Sequence, residues 1–108
     1  MADLKLLKSW KVTETLLERA RGVLPEPALE LREVYDKLLA EYRSFLDHNE
    51  LEIALDMLEE LGDLVPCRGR FWRDLERAAE NMGLKGRSIE LRKKFSQALK
   101  SHGENNGS

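Results

Sequence analysis

From Ala28 to Leu46 the apolar positions fall at Leu31, Val34, Tyr35, Leu38, Leu39, Tyr42, Phe45 and Leu46, in steps of 3, 1, 3, 1, 3, 3 and 1. That is the period of an amphipathic helix with a broad buried face. Pro25 and Pro27 stand at its start, where a missing N–H costs nothing. A second helix is expected to open at Asn49, as a side-chain N-cap, with Glu52 completing a capping-box pattern three residues on. Leu51, Ala54, Leu55, Leu58 and Leu61 form its core stripe, and Ile53 and Met57 widen it. Gly62 is placed to end it in a left-handed turn. The linker Asp47-His48-Asn49 is short, so the two helices are expected to form a central antiparallel hairpin.

A third helical pattern runs from about Gly69 to Met82 through Phe71, Trp72, Leu75, Ala78 and Ala79, with Gly83 as its stop. A fourth runs from about Arg87 to Ser101, with Leu91, Phe95, Ala98 and Leu99 on one face. Near the N-terminus, Leu6, Trp10, Leu17, Ala20 and Leu24 keep rough helical spacing. Val12 and Thr13 are weak helix formers, which leaves one helix or two open there. No run alternates with period two. The pattern predicts an all-α bundle of about five helices: a single domain over residues 1–101, then a flexible polar tail over 102–108.

Composition narrows this picture. Apolar residues make up 42% and charged residues 35% of the 108, with a formal net charge of −2. This is globular composition with a heavily charged surface. Its one cysteine, Cys67, excludes an internal disulfide and fits a reducing compartment. No apolar run approaches a membrane span. MADLKLLKSWKV lacks the apolar region of a signal peptide. The expectation is a soluble cytoplasmic protein with no membrane partner and no cofactor.

Charge is unevenly placed. Phe45 to Asp63 carries seven carboxylates (Asp47, Glu50, Glu52, Asp56, Glu59, Glu60 and Asp63) and no Lys or Arg. Glu52, Asp56, Glu59, Glu60 and Asp63 fall on one helix face, opposite the leucines. Like charges four apart destabilise a helix by roughly 0.2–0.5 kcal/mol per pair. The helix dipole opposes acids near the C-terminal end. Something should compensate. One candidate is internal: Arg70, Arg73 and Arg77 form a basic stripe on the next helix. The other is external: Asp47, Glu52, Asp56, Glu59, Glu60 and Asp63 dock a basic protein, with charge steering association.

Two other readings compete. Between Cys67 and Lys100 there are ten bases and four acids. Ala79, Gly83 and Ile89 have the small–glycine–apolar spacing of a helix-turn-helix, which would turn Arg87, Ser88, Lys93 and Lys94 toward DNA. Arg92 stands where that motif wants an apolar residue. A helical-hairpin adaptor is the third reading. Catalytic signals are poor. His48 lies in a turn beside Asp47 and Glu50, and His102 lies in the tail. Cys67 precedes Arg68, which would lower its pKa, but it lacks an obvious partner and reads better as a packed thiol. There is no metal-ligand spacing and no phosphate-cradling glycine loop. Phe71 and Trp72 are adjacent, and either both are core or one is an exposed interface anchor.

FLDHNELEIALDMLEELGD followed by FWRDLERAAENMGL resembles the small immunity proteins of bacterial polymorphic toxin systems, of the MafI type and the contact-dependent growth inhibition type. The anchors are Phe45-Leu46, His48-Asn49-Glu50, Ala54-Leu55, Leu58, Phe71-Trp72, Leu75, Ala79 and Met82-Gly83-Leu84. The resemblance covers roughly Leu39 to Leu84, leaving the N-terminal segment and the basic C-terminal helix outside. It implies a stoichiometric, non-enzymatic inhibitor that binds the toxic C-terminal domain of a secreted toxin, often a nuclease. Nucleases hold phosphates with Lys and Arg, and an acidic helix face suits such a partner.

Overall fold

The structure, a computed structural model, describes the backbone of residues 4–107 and the side chains of residues 9–101. Five α-helices and no strand are present among the described residues: α1 (Leu4–Gly22), α2 (Arg32–Asp47), α3 (Leu51–Leu64), α4 (Gly69–Asn81) and α5 (Lys85–Gly107). A 3-10 turn over Leu29–Leu31 leads into α2. The protein is therefore all-α, as the periodicity predicts. The N-terminal pattern is one helix. Thr13 does not break it, because its buried hydroxyl accepts a hydrogen bond from Asn81 Nδ2 of α4 at 2.7 Å. The weak helix former is a tertiary anchor. The polar tail expected from residue 102 falls on side chains outside the described residues; the backbone of α5 continues to Gly107.

Two turns show how local chemistry ends a helix here. After α4, Gly83 takes φ 76°, Leu84 N–H donates to Ala79 O at 2.9 Å and Gly83 N–H donates to Glu80 O at 3.0 Å. After α2, Asn49 takes φ 59°, Glu50 N–H donates to Phe45 O at 2.9 Å and Asn49 N–H donates to Leu46 O at 3.1 Å. Both are Schellman closures with the left-handed residue at C′. Asn49 therefore terminates α2 instead of capping α3. Glu50 holds the N-cap position, and no side chain caps it.

Gly62 also departs from its expected role. It lies inside α3, which runs on to Leu64 before Val65 turns extended. A Cβ there would collide with the edge of the Phe71 ring and stand 2.7 Å from Trp72 Cη2. Its lack of a side chain lets α3 approach the two aromatic residues of α4. Those rings meet edge to face, with centroids 5.0 Å apart and an interplanar angle of 84°. Both are buried, so neither is an exposed anchor.

The core gathers around α4, which packs against α1, α3 and α5, while α2 packs against α3. Leu17, Ala20, Tyr42, Leu55, Leu58, Leu61, Phe71, Leu75, Ala78 and Leu91 are fully buried. Tyr42 carries a hydroxyl into this core and donates it to Glu18 Oε2 at 2.6 Å. Burial first, then that hydrogen bond, pushes its pKa far above the ordinary value. No helix among the described residues is long and apolar enough to cross a membrane.

Candidate partner-binding face

The six carboxylates singled out in the sequence lie on two helices. Asp47 is the last residue of α2, and Glu52, Asp56, Glu59, Glu60 and Asp63 lie on α3. Leu51, Ala54, Leu55, Leu58 and Leu61 point α3 into the core, so the acids are turned outward by the helical period.

They do not share one fate. Arg87 of α5 reaches Asp56 through Nη1 and Glu59 through Nη2, the latter at 2.7 Å. Lys94, two turns further along α5, contacts Glu59 at 3.0 Å and Asp63 at 2.8 Å. Two cations are thus interleaved with three acids. Lys94 Nζ also sits 4.9 Å from the centroid of the Trp72 ring, a cation–π contact. Burial opposes charge on Arg87, but Asp56 and Glu59 outweigh it and raise its pKa. Lys94 is likewise raised by Asp63 and Glu59 against the opposing effect of burial.

The internal compensation that the repelling stripe requires therefore exists, but Arg70, Arg73 and Arg77 do not supply it. Arg73 turns to Glu76, at 3.1 Å, and over the Phe95 ring at 5.6 Å. The signal for the true partners was in the sequence. Asp56 and Asp63 are seven apart, as are Arg87 and Lys94, so two helices lying side by side bring both pairs into register.

Asp47, Glu52 and Glu60 are exposed and form no ion pair among the described residues. Ile53, beside Glu52 and seven residues from Glu60, is 38% exposed. This outer strip of α3 combines unpaired negative charge with an uncovered apolar side chain.

The same geometry bears on the DNA-reading alternative. Ile89, whose burial the helix-turn-helix pattern needs, is 56% exposed, and Leu91 is the buried residue instead. Arg87 and Lys94 are engaged with α3. Arg92, which broke the motif, is explained by Glu76. That side chain is fully buried on α4, and Arg92 Nε donates to it at 2.8 Å. Burial raises the pKa of Glu76, but its bonds and charges with Arg92 and Arg73 prevail and hold it below the usual value.

Residues considered for chemistry are apart. His48 is exposed at the end of α2, with Nδ1 2.7 Å from Ser44 O. Cys67 is buried, and its pKa is pushed up to about 12 by burial and then by Asp63, so Arg68 does not activate it. Among the described residues no cluster of three or more His, Cys, Asp or Glu is placed to hold a metal ion. Neither a family model, nor a curated protein, nor a solved structure matches the chain.

Proposed function

We propose that this protein is a binding protein that neutralises a basic toxin domain in the cytoplasm, in the manner of the immunity proteins its sequence resembles. The observation that carries the reading is the division of the α3 carboxylates. Asp56, Glu59 and Asp63 are neutralised by α5, whereas Glu52 and Glu60 stay exposed and unpaired beside Ile53. A fold that pairs three acids internally and leaves two others facing water presents uncompensated negative charge that a cationic partner would meet. The α5 clamp fixes the helix bearing them, so little ordering cost remains for association.

The partner's chemistry follows from the strip. It should present Lys or Arg, as phosphate-binding nucleases do, around an apolar contact for Ile53. A 1:1 complex with the basic C-terminal domain of a toxin encoded beside this chain tests the reading. Mixing experiments should give that complex and loss of toxin activity. A purified toxin domain that stays fully active and unbound would overturn it.

A further inference from the structure

The strip ends in a concavity that the charge pattern alone does not reveal. At the N-terminal end of α3, an open groove of about 610 Å³ lies between α1, α3 and the end of α4. Trp10, Ile53, Met82 and Leu84 supply its apolar wall, and Glu50 and Glu52 flank it. Trp10 is 42% exposed, an unusual position for an indole in a protein whose other tryptophan is packed. A polar tie joins two of its walls. Asn81 Nδ2 donates to Ser9 O at 2.7 Å and to Thr13 Oγ1, tying the end of α4 to α1.

We infer that this groove takes an apolar or aromatic side chain of a basic protein segment, with Glu50 and Glu52 pairing the Lys or Arg residues that flank it. Charge complementarity chooses the occupant. Neither carboxylate has an ion-pair partner among the described residues. The N-terminal dipole of α3 is equivalent to roughly half a positive charge, so two full negative charges leave the mouth anionic. Among the described residues its lining holds these two carboxylates and no Lys or Arg, which favours a basic segment over an acidic segment or a nucleic acid. Trp is the residue type most often found at the energetic centre of a protein interface, and an indole beside an open apolar slot has that geometry. The inference rests on the reading of α3 as a face for a basic partner, and it identifies where that partner's anchor side chain goes.

The probe is a nine-residue peptide alternating lysine with phenylalanine and leucine, followed by acrylamide quenching of the exposed indole. A Trp72→Phe variant makes Trp10 the sole emitter. Wild type serves equally if that variant folds poorly, because Trp72 is already shielded. The peptide should blue-shift the emission and protect Trp10. Ile53→Lys should weaken binding by at least about tenfold, as loss of a central contact does, and Glu50→Gln with Glu52→Gln should weaken it at low salt and remove its salt dependence. The same peptide with glutamate for lysine should have no effect. No protection by the lysine peptide would overturn the inference, as would equal protection by the glutamate peptide. So would peptide-free protection that rises with protein concentration, which would assign the groove to a second copy of the chain. A toxin domain that binds tightly while Trp10 stays quenchable, with Trp10→Ala neutral, would remove the groove and leave the α3 face standing. A peptide that binds when no toxin domain does would do the reverse.

Discussion

Glu76 offers an asymmetric test of how charge is held in this fold. Its side chain is fully buried, while those of Arg73 and Arg92 are 41% and 63% exposed. Removing the acid therefore differs from removing the bases. In Glu76→Gln both guanidiniums regain water, and one acceptor oxygen remains, so the loss is that of a charged hydrogen bond, about 1.5–3 kcal/mol. In the double variant Arg73→Met, Arg92→Met the stems remain, but the covered carboxylate is left alone, which costs at most the roughly 3–5 kcal/mol of a broken deeply buried pair. Against the roughly 5–15 kcal/mol that holds a domain together, the second loss is severe. Adding Glu76→Leu to the double variant should restore most of it.

The pH dependence carries the same logic. In wild type the folded pKa of Glu76 lies below its ordinary 4.5. Its contribution is thus present above about pH 4.5 and is lost as pH falls through the folded value. In the double variant the charged form is penalised, so stability should instead rise as pH falls. Urea unfolding followed by circular dichroism at pH 7, pH 4.5 and pH 3 measures both effects. Glu76→Gln costing as much as the double Arg variant, or a double variant that weakens in acid like wild type, would refute the reasoning.

Three further outcomes are expected. Arg87→Gln and Lys94→Gln should each destabilise by no more than about 1 kcal/mol per ion pair, the ceiling for partly exposed pairs, with the difference shrinking in high salt; denaturant midpoints at two salt concentrations measure it. Gly62→Ala should destabilise by about 1–3 kcal/mol through overpacking against Phe71 and Trp72, despite alanine's better helix propensity; a stabilised variant in thermal unfolding would contradict that placement. Cys67 should react slowly with a thiol reagent at pH 8 in the folded protein and rapidly in urea, because burial hides the thiol and suppresses its thiolate.

How legible these features were depended on the range of the interaction that decides each. The five helices follow from spacing within a turn or two, so Tyr42, Leu55, Leu58, Phe71 and Leu75 declare themselves as core by period alone. Gly83 is equally local, because a left-handed stop after an apolar stripe has one common form. Asn49 and Gly62 were harder. Each residue type has two roles at a helix end, and a tertiary contact or the next element decides between them. Asn49 closes the helix behind it, and Gly62 makes room for two rings from α4. The acidic stripe was plain in the sequence, but its partners lie 28 or more residues away. The nearer Arg70, Arg73 and Arg77 matched it just as well in charge. Trp10 looked like one more core aromatic, because its exposure depends on where α1 meets α3 and α4.

Reversal of the two unpaired α3 charges is the most direct test of the proposed function. Wild type and the Glu52→Lys, Glu60→Lys variant should be titrated by calorimetry into the basic toxin domain, with urea midpoints measured beside them. Both positions are solvent-exposed on a helix, so the midpoint should hold within about 0.5 kcal/mol. Like charges brought together at an interface cost several kcal/mol, so affinity should fall by about a hundredfold or more. Equal affinity in the two proteins, with both folded, would contradict the claim that this face is where the partner docks.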